Sequence, residues 1–109
     1  MEIATWNVNS VRARAQRVTQ FLERTQVDVL AMQEIKCKPE QFPYADFEAI
    51  GYEVIAHGLN QWNGVALAYK KDLEPTDIET SFPQQPHFKD SLEARALGAT
   101  FGDIRIWSL

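Results

Sequence analysis

Thr5-Trp6-Asn7-Val8-Asn9-Ser10-Val11-Arg12-Ala13-Arg14 and, further along, Gln33-Glu34-Ile35-Lys36 are the stretches whose reading decides the fold. Residues 2–6 suit a short strand that runs into the polar Asn7. Asn9 or Ser10 then offers a helix N-cap, and Val11, Ala15, Val18 and Leu22 recur at helical spacing with arginines between them. The pattern predicts an amphipathic helix of about four turns. Val27-Asp28-Val29-Leu30-Ala31-Met32 reads as a second, largely buried strand that delivers Glu34 just past its end. Strand, helix and strand in this order imply a right-handed crossover between parallel strands. Asn7 and Glu34 are then expected at the same C-terminal sheet edge, where open α/β sheets place their ligands.

Working outward, Pro39 and Pro43 bracket a loop, and Ala45–Ile50 predicts a short helix that Gly51 terminates. Tyr52–His57 and Gly64–Tyr69 read as a long hairpin joined by Gly58-Leu59-Asn60-Gln61-Trp62-Asn63. Residues 71–91, with Pro75, Pro83 and Pro86, read as an irregular excursion. Ala94–Phe101 and Ile104–Leu109 are two strands joined across Gly102-Asp103, a tight-turn signature. The expected class is α/β with a mixed sheet whose one face is covered by helices. Leu30, Met32, Leu67, Ile106 and Leu109 put apolar groups on both faces of the strands. The second face is therefore expected to lie uncovered, leaving the chain marginally stable and prone to association.

The 109 residues make one domain at most, and 45% apolar with 24% charged residues is ordinary for a globular chain. The longest apolar run, residues 64–69, falls far short of the roughly 18 residues that span a bilayer. An acid at Glu2 argues against a signal peptide. Cys37 is the single cysteine, which excludes an internal disulfide and suits a reducing compartment, so a cytoplasmic protein without a membrane partner is expected. The net charge of −4 speaks against a generic nucleic-acid binder. Its distribution speaks less strongly, because Arg12, Arg14, Arg17, Arg24, Lys36 and Lys38 outnumber Glu2, Glu23, Asp28 and Glu34 in the first 38 residues. A basic end can attract phosphate over about 8–10 Å. The plain alternative is a solvated helix face.

Glu34 and Asn7 are the candidate chemical groups. A divalent metal that handles phosphate esters wants hard oxygen ligands, and Mg²⁺ is commonly held by one or two carboxylates plus waters. Glu34 suits the anchor, while Asn7 can offer its amide oxygen or orient a carboxylate or a metal-bound water. Such an ion neutralises charge on a phosphoryl group and its leaving oxygen. Strand-end Glu and Asn are also common in ordinary loops, so two groups alone leave that reading open. No glycine-rich loop follows the first strand, which disfavours a nucleotide-binding domain. Cys37, between Lys36 and Lys38, is either a thiol of lowered pKa or a bystander on the surface.

Thr5–Ala13 and Leu30–Lys36, together with Gln41-Phe42-Pro43, Gly51-Tyr52, His57-Gly58, Trp62-Asn63-Gly64-Val65-Ala66 and Glu93-Ala94-Arg95, resemble one family in a single register. That family is the exonuclease III group of DNA-repair nucleases, which includes the abasic-site endonucleases. The resemblance implies a Mg²⁺-dependent enzyme, with Mn²⁺ as a substitute, acting on double-stranded DNA at abasic sites and 3′ ends. It implies a four-layer αββα sandwich of which residues 1–109 are the N-terminal half. Glu34 matches the family's metal-binding glutamate, Asn7 the asparagine supporting that carboxylate, and Asn9 a neighbouring position. Arg12 matches a contact to the DNA backbone, Trp62 and Asn63 a loop touching the groove, and Arg95 a strand arginine lining the DNA-binding face.

Plain alternatives stand beside these matches. Trp62 can be an aromatic covering the sheet edge, and Arg95 can pair with Asp90 or Glu93. Ile35 stands where the family usually has threonine, although Lys36 is retained. The family's Tyr-x-Pro-Asn-Gly block, its water-positioning Asp/Asn pair and its terminal Asp-His pair have no counterpart here, and neither His57 nor His87 matches the catalytic histidine. The expectation is thus a nuclease lineage with an inactive isolated chain. The alternative is a non-catalytic product that binds metal or DNA weakly.

Overall fold

Alternation makes the first strand. In β1 (Ile3–Asn7) the half-buried Ala4 and Trp6 alternate with exposed Ile3, Thr5 and Asn7. The computed structural model describes residues 1–59, 61–80 and 96–109. Helix α1 (Val11–Thr25) follows, capped by Ser10, whose Oγ accepts the Ala13 N–H at 3.4 Å. It ends where Gln26 turns left-handed and donates its backbone N–H to Leu22 O at 2.9 Å. Val11, Val18 and Leu22 form its buried stripe, and Phe21 meets Trp6 edge-on at 5.5 Å between ring centres. Strand β2 (Val29–Gln33) lies parallel to β1, with Ile3 opposite Val29 and Asn7 opposite Gln33. The crossover expected from the sequence is present.

A 3₁₀ turn at Pro39–Gln41 and the short helix α2 (Tyr44–Glu48) lead to β3 (Tyr52–His57) and β4 (Val65–Lys70), which pair antiparallel. The first sheet has the order β1-β2-β4-β3. Leu30 and Met32 on β2, with Ala66 and Ala68 on β4, face the helices and join Val18, Leu22 and Phe47.

The other face corrects the sequence expectation. Strands β5 (Thr76–Glu79), β6 (Leu97–Phe101) and β7 (Ile104–Ser108) form a second antiparallel sheet. Its Leu97, Ala99, Phe101 and Ile106 pack on Val29, Ala31, Val65, Leu67 and Tyr69. The apolar face thought to be uncovered is covered by the chain's own C-terminal strands. The first sheet is mixed, as the sequence predicts, but the C-terminal strands form a separate sheet instead of extending it. Leu67 and Ile106 are buried between the sheets and Leu30 and Met32 beneath the helices, while Leu109 is 66% exposed. Helices, first sheet and second sheet make three layers. Among the described residues no helix covers the outer face of the second sheet, where the resemblance implied a fourth layer.

Strand β5 also corrects the irregular excursion expected over residues 71–91 in its described part, and residues 81–91 lie outside the described residues. All four of its residues are exposed, so no apolar alternation announced it. Arg105 holds it from β7, donating to Glu79 Oε1 at 2.5 Å, to Thr100 Oγ1 at 3.0 Å and to the Asp77 carbonyl. Gly102-Asp103 makes the tight β6–β7 turn, with Phe101 opposite Ile104 and Gly102 at φ 61°. Among the described residues no helix is long and apolar enough to cross a membrane.

Candidate functional site

Parallel register carries two polar groups to one edge of the first sheet. Asn7 ends β1 beside Gln33, and Glu34 is the next residue on the neighbouring strand. Asn7 Nδ2 donates to Glu34 Oε2 at 2.5 Å, while Asn7 Oδ1 accepts the Asn9 backbone N–H at 3.2 Å. On the other side, Lys36 Nζ lies 3.7 Å from Glu34 Oε1 and donates to Asn9 Oδ1 at 2.6 Å. One amide and one ammonium thus bracket the carboxylate. Its side chain is 44% exposed, so this ion pair orients Glu34 more than it stabilises the fold.

The backbone fixes this arrangement. Ser10 N–H donates to Glu34 O at 2.8 Å and Val11 N–H to Ile35 O at 3.1 Å, tying the start of α1 to the end of β2. Ile35 N–H donates to Gly64 O at 3.2 Å and Lys36 N–H to Asn63 O at 3.1 Å, tying the same loop to β4. Ile35, at the position where the resemblance leads one to expect threonine, is fully buried among the helix-side core residues. It anchors the loop by packing.

A cleft of about 260 Å³ opens at this edge, lined by Asn7, Gln33, Glu34, Asn63, Gly64, Val65 and Leu109. Asn63 Oδ1 is buried there and has no hydrogen-bond partner among the described residues. A buried acceptor without a donor is costly, and a donor-bearing ligand or a water would satisfy it. Below the cleft, Gln33 Nε2 donates to Thr5 Oγ1 at 3.0 Å, Ala31 O at 3.3 Å and Ser108 Oγ at 3.0 Å. Ser108, fully buried, donates in turn to Met32 O at 2.7 Å. This strap joins β1, β2 and β7, and the sequence reading missed both Gln33 and Ser108. Adjacency to Glu34 was the only signal for Gln33, and Ser108 gave none.

The remaining sequence candidates fall elsewhere. Arg12, exposed in the first turn of α1, and Trp62, 71% exposed, line a second cleft instead. Asn63, paired with Trp62 from the sequence, lies in the first cleft beside Glu34. Arg95 and His87 lie outside the described residues. Burial holds the His57 imidazole below its ordinary pKa. Cys37 is neither surface-exposed nor activated. Burial pushes its thiol up, with the Arg12 guanidinium opposing and Glu40 adding to the rise.

Among the described residues no group of three or more His, Cys, Asp or Glu side chains could hold a metal. One carboxylate, flanking amides and an orphaned amide oxygen remain. They are hard donors, and such a set fits a cation that keeps most of its waters, as Mg²⁺ does.

A family model described as the Endonuclease/Exonuclease/phosphatase family matches residues 4–107. Exodeoxyribonuclease III of Haemophilus influenzae is 41% identical over 83 residues, covering 76% of this chain and 30% of that protein. The chain therefore spans less than a third of that curated relative. An AP endonuclease from Archaeoglobus fulgidus superposes with a TM-score of 0.84 at 39% identity, over 98% of this chain and 39% of that one. A 3′ phosphatase from Neisseria, bound to a product DNA hairpin, gives 0.86 at 32% identity, over 98% and 40%. The match from residue 4 to residue 107 and the shared two-sheet frame make this chain a member of the Endonuclease/Exonuclease/phosphatase family, similar within it to the exonuclease III and AP-endonuclease branch.

Proposed function

We propose that this chain carries the metal-side part of a DNA-repair phosphodiesterase site, as the first portion of an exonuclease III-type fold. The observation that carries this reading is the Asn7–Glu34 pair at the sheet edge, held by the Lys36–Asn9 bridge and opening into the polar cleft. Glu34 would hold a Mg²⁺ ion, which Mn²⁺ replaces, with Asn7 aligning the carboxylate and Asn63 Oδ1 accepting from a coordinated water. When bound, the ion would neutralise charge on the phosphoryl group and the leaving oxygen. Arg12 would pair with the DNA backbone, and duplex DNA with abasic sites or 3′ ends is the proposed substrate. Arg95 is proposed as a further contact. A cytoplasmic setting would suit a chain whose single cysteine, Cys37, has no internal disulfide partner.

In-line displacement also needs a positioned water and charge stabilisation on the phosphoryl oxygens. The cleft supplies one carboxylate, so the proposal includes an isolated chain without measurable turnover. Mn²⁺ titration by calorimetry tests the metal half, with millimolar affinity expected at best and a loss in Glu34→Ala. Binding to duplexes of unrelated sequence tests the other half. It should weaken steeply with salt, and Arg12→Ala should weaken it to a similar extent for each sequence. Robust Mg²⁺-dependent cleavage of an abasic duplex by the 109 residues would refute the inactive reading. No Mn²⁺ binding at all would refute the metal site.

A further inference from the structure

Hydrogen-bond polarity fixes which end of the Gln33 side chain faces the metal-side cleft. The Ala31 carbonyl can only accept, and Ser108 already gives its single proton to Met32 O at 2.7 Å. Both therefore need a donor, and the Gln33 NH₂ group supplies it at 3.3 Å and 3.0 Å, with Thr5 Oγ1 as a third acceptor at 3.0 Å. Turning the amide over would set its oxygen against two oxygens that have no proton to offer. The nitrogen is thus held in the floor between the sheets. Gln33 Oε1 receives no hydrogen bond from the described residues, and the side chain lines the cleft.

The neighbouring groups share this polarity. Asn7 directs its NH₂ at Glu34 Oε2, and Asn63 Oδ1 is buried in the same cleft without a donor. Lys36 reaches Glu34 without lining the cleft. The lining therefore gathers oxygen acceptors around one carboxylate: Glu34, the Asn63 amide oxygen and Gln33 Oε1. A bare divalent ion would want more direct charged ligands than this. A hydrated ion presents the complementary surface, a shell of water protons pointing outward. The cleft, at about 260 Å³, exceeds the roughly 180 Å³ that six waters occupy at about 30 Å³ each.

We infer that Gln33 is a positioning residue for the cation site at Glu34, acting through water. Its Oε1 accepts from the hydration shell of the ion, and the Ser108 hydroxyl dictates that this oxygen, not the NH₂, faces the shell. The inference rests on the reading of Glu34 as a metal anchor and deepens it. It gives the second sheet a part in the site, because β7 carries the hydroxyl that sets the amide. A reversed amide would point its protons at the protons of the water shell.

Hexaamminecobalt(III) is the probe, because its ammine ligands do not exchange and it can bind only by donating N–H groups. Calorimetry with the 109-residue chain should give an affinity that Gln33→Met lowers about 2- to 12-fold, the worth of one net hydrogen bond. Gln33→Glu should bind the complex at least as tightly as the parent. Both variants lose the NH₂ bonds to Ala31, Thr5 and Ser108, so a Gln33 with a structural role alone would weaken both alike. That result overturns the inference, as does a parent that binds no complex. Where a variant fails to fold, NMR of the parent decides. Nuclear Overhauser contacts between the ammine protons and the Gln33 side chain are expected, and their absence with the complex bound overturns the inference. Mn²⁺ titration reads the metal anchor separately. Mn²⁺ binding indifferent to Glu34→Ala, beside hexaammine binding that needs Gln33, would sink the anchor and leave the acceptor role standing.

Discussion

Ser108→Ala should destabilise the protein through the loss of a buried hydrogen bond. Ser108 is fully buried, and its hydroxyl makes two hydrogen bonds. Its Oγ donates to Met32 O at 2.7 Å and accepts from Gln33 Nε2 at 3.0 Å. The two losses differ in size. Gln33 is half-buried at the floor of an open cleft, so water can replace the hydroxyl there at little cost. The Met32 carbonyl lies under the second sheet, and losing a buried partner costs about 1–3 kcal/mol. At about 4–8 °C per kcal/mol for a domain near this size, the melting midpoint should fall by roughly 4–24 °C.

Thr5→Val is the matched comparison. It removes the exposed end of the same strap, where Thr5 Oγ1 accepts from Gln33, and should stay within about 0.5 kcal/mol of the parent. Differential scanning calorimetry and urea unfolding at neutral pH give both values. The strap also bears on the proposed site, because Ser108 holds Gln33, which lines the cleft beside Glu34 together with Leu109. Ser108→Ala should therefore weaken Mn²⁺ binding while Thr5→Val leaves it nearly unchanged. A Ser108→Ala midpoint within a degree of the parent, or a Thr5→Val loss equal to it, would refute the reasoning.

Gly64→Ala should lose about 1–3 kcal/mol for its φ of 119° and more for contact, since the new Cβ would sit 2.7 Å from Ile35 Cγ1. Gly51→Ala, at φ 89° with nothing within 4 Å, bears only the backbone strain, so equal losses in urea melts would contradict the packing argument. Asp28 is held below its ordinary pKa of 3.8, first by the Glu2 backbone N–H at 2.8 Å and also by Lys70 at 3.7 Å. A depressed folded pKa gives stability that is fully present above the unfolded pKa and lost as pH falls through the folded one. Asp28→Asn should accordingly remove stability at pH 7 and narrow its gap to the parent below about pH 4, and a gap that widens on acidification would reverse the sign. Cys37, buried with a raised pKa, should react with a disulfide reagent only on unfolding, and rapid labelling of the native chain at pH 8 would place it elsewhere.

The first sheet was legible because its signals are local. Val11, Val18 and Leu22 repeat at helical spacing, and Ser10 caps the helix they build. Val29–Met32 is apolar because both faces of the strand are covered, and the same run located Glu34. Sheet membership was not legible. Leu97, Ala99 and Ile106 show that strands are buried, yet nothing in their pattern tells whether they extend one sheet or lie across it. Strand β5 stayed hidden for the opposite reason. Its residues are exposed and polar, and a guanidinium from another strand holds them in place. Likewise, the sequence could pair Asn7 with Glu34 through parallel register, but Gln33 to Ser108 is a contact between distant residues that only the packed sheets create.

Backbone conformation around Glu34 adds an argument of its own. Asn9, Ser10, Glu34 and Lys36 have φ values of 46°, 83°, 54° and 56°, in the left-handed region that residues other than glycine seldom occupy. Each such position costs on the order of 1–3 kcal/mol unless its surroundings impose it. The surroundings here are specific. Ser10 N–H is held by Glu34 O, Lys36 N–H by Asn63 O, and the Asn9 side chain by Lys36 Nζ. The strained residues thus restrain one another across two loops, and fully buried Ile35 fixes the turn between them. Relaxing the strain would need both loops to move together, which the core beneath Ile35 resists. A carboxylate carried on such a frame is oriented by the chain's own groups, Asn7 Nδ2 and Lys36 Nζ. That is the condition under which a single carboxylate with amide neighbours can serve as an anchor, because little reorganisation then opposes binding.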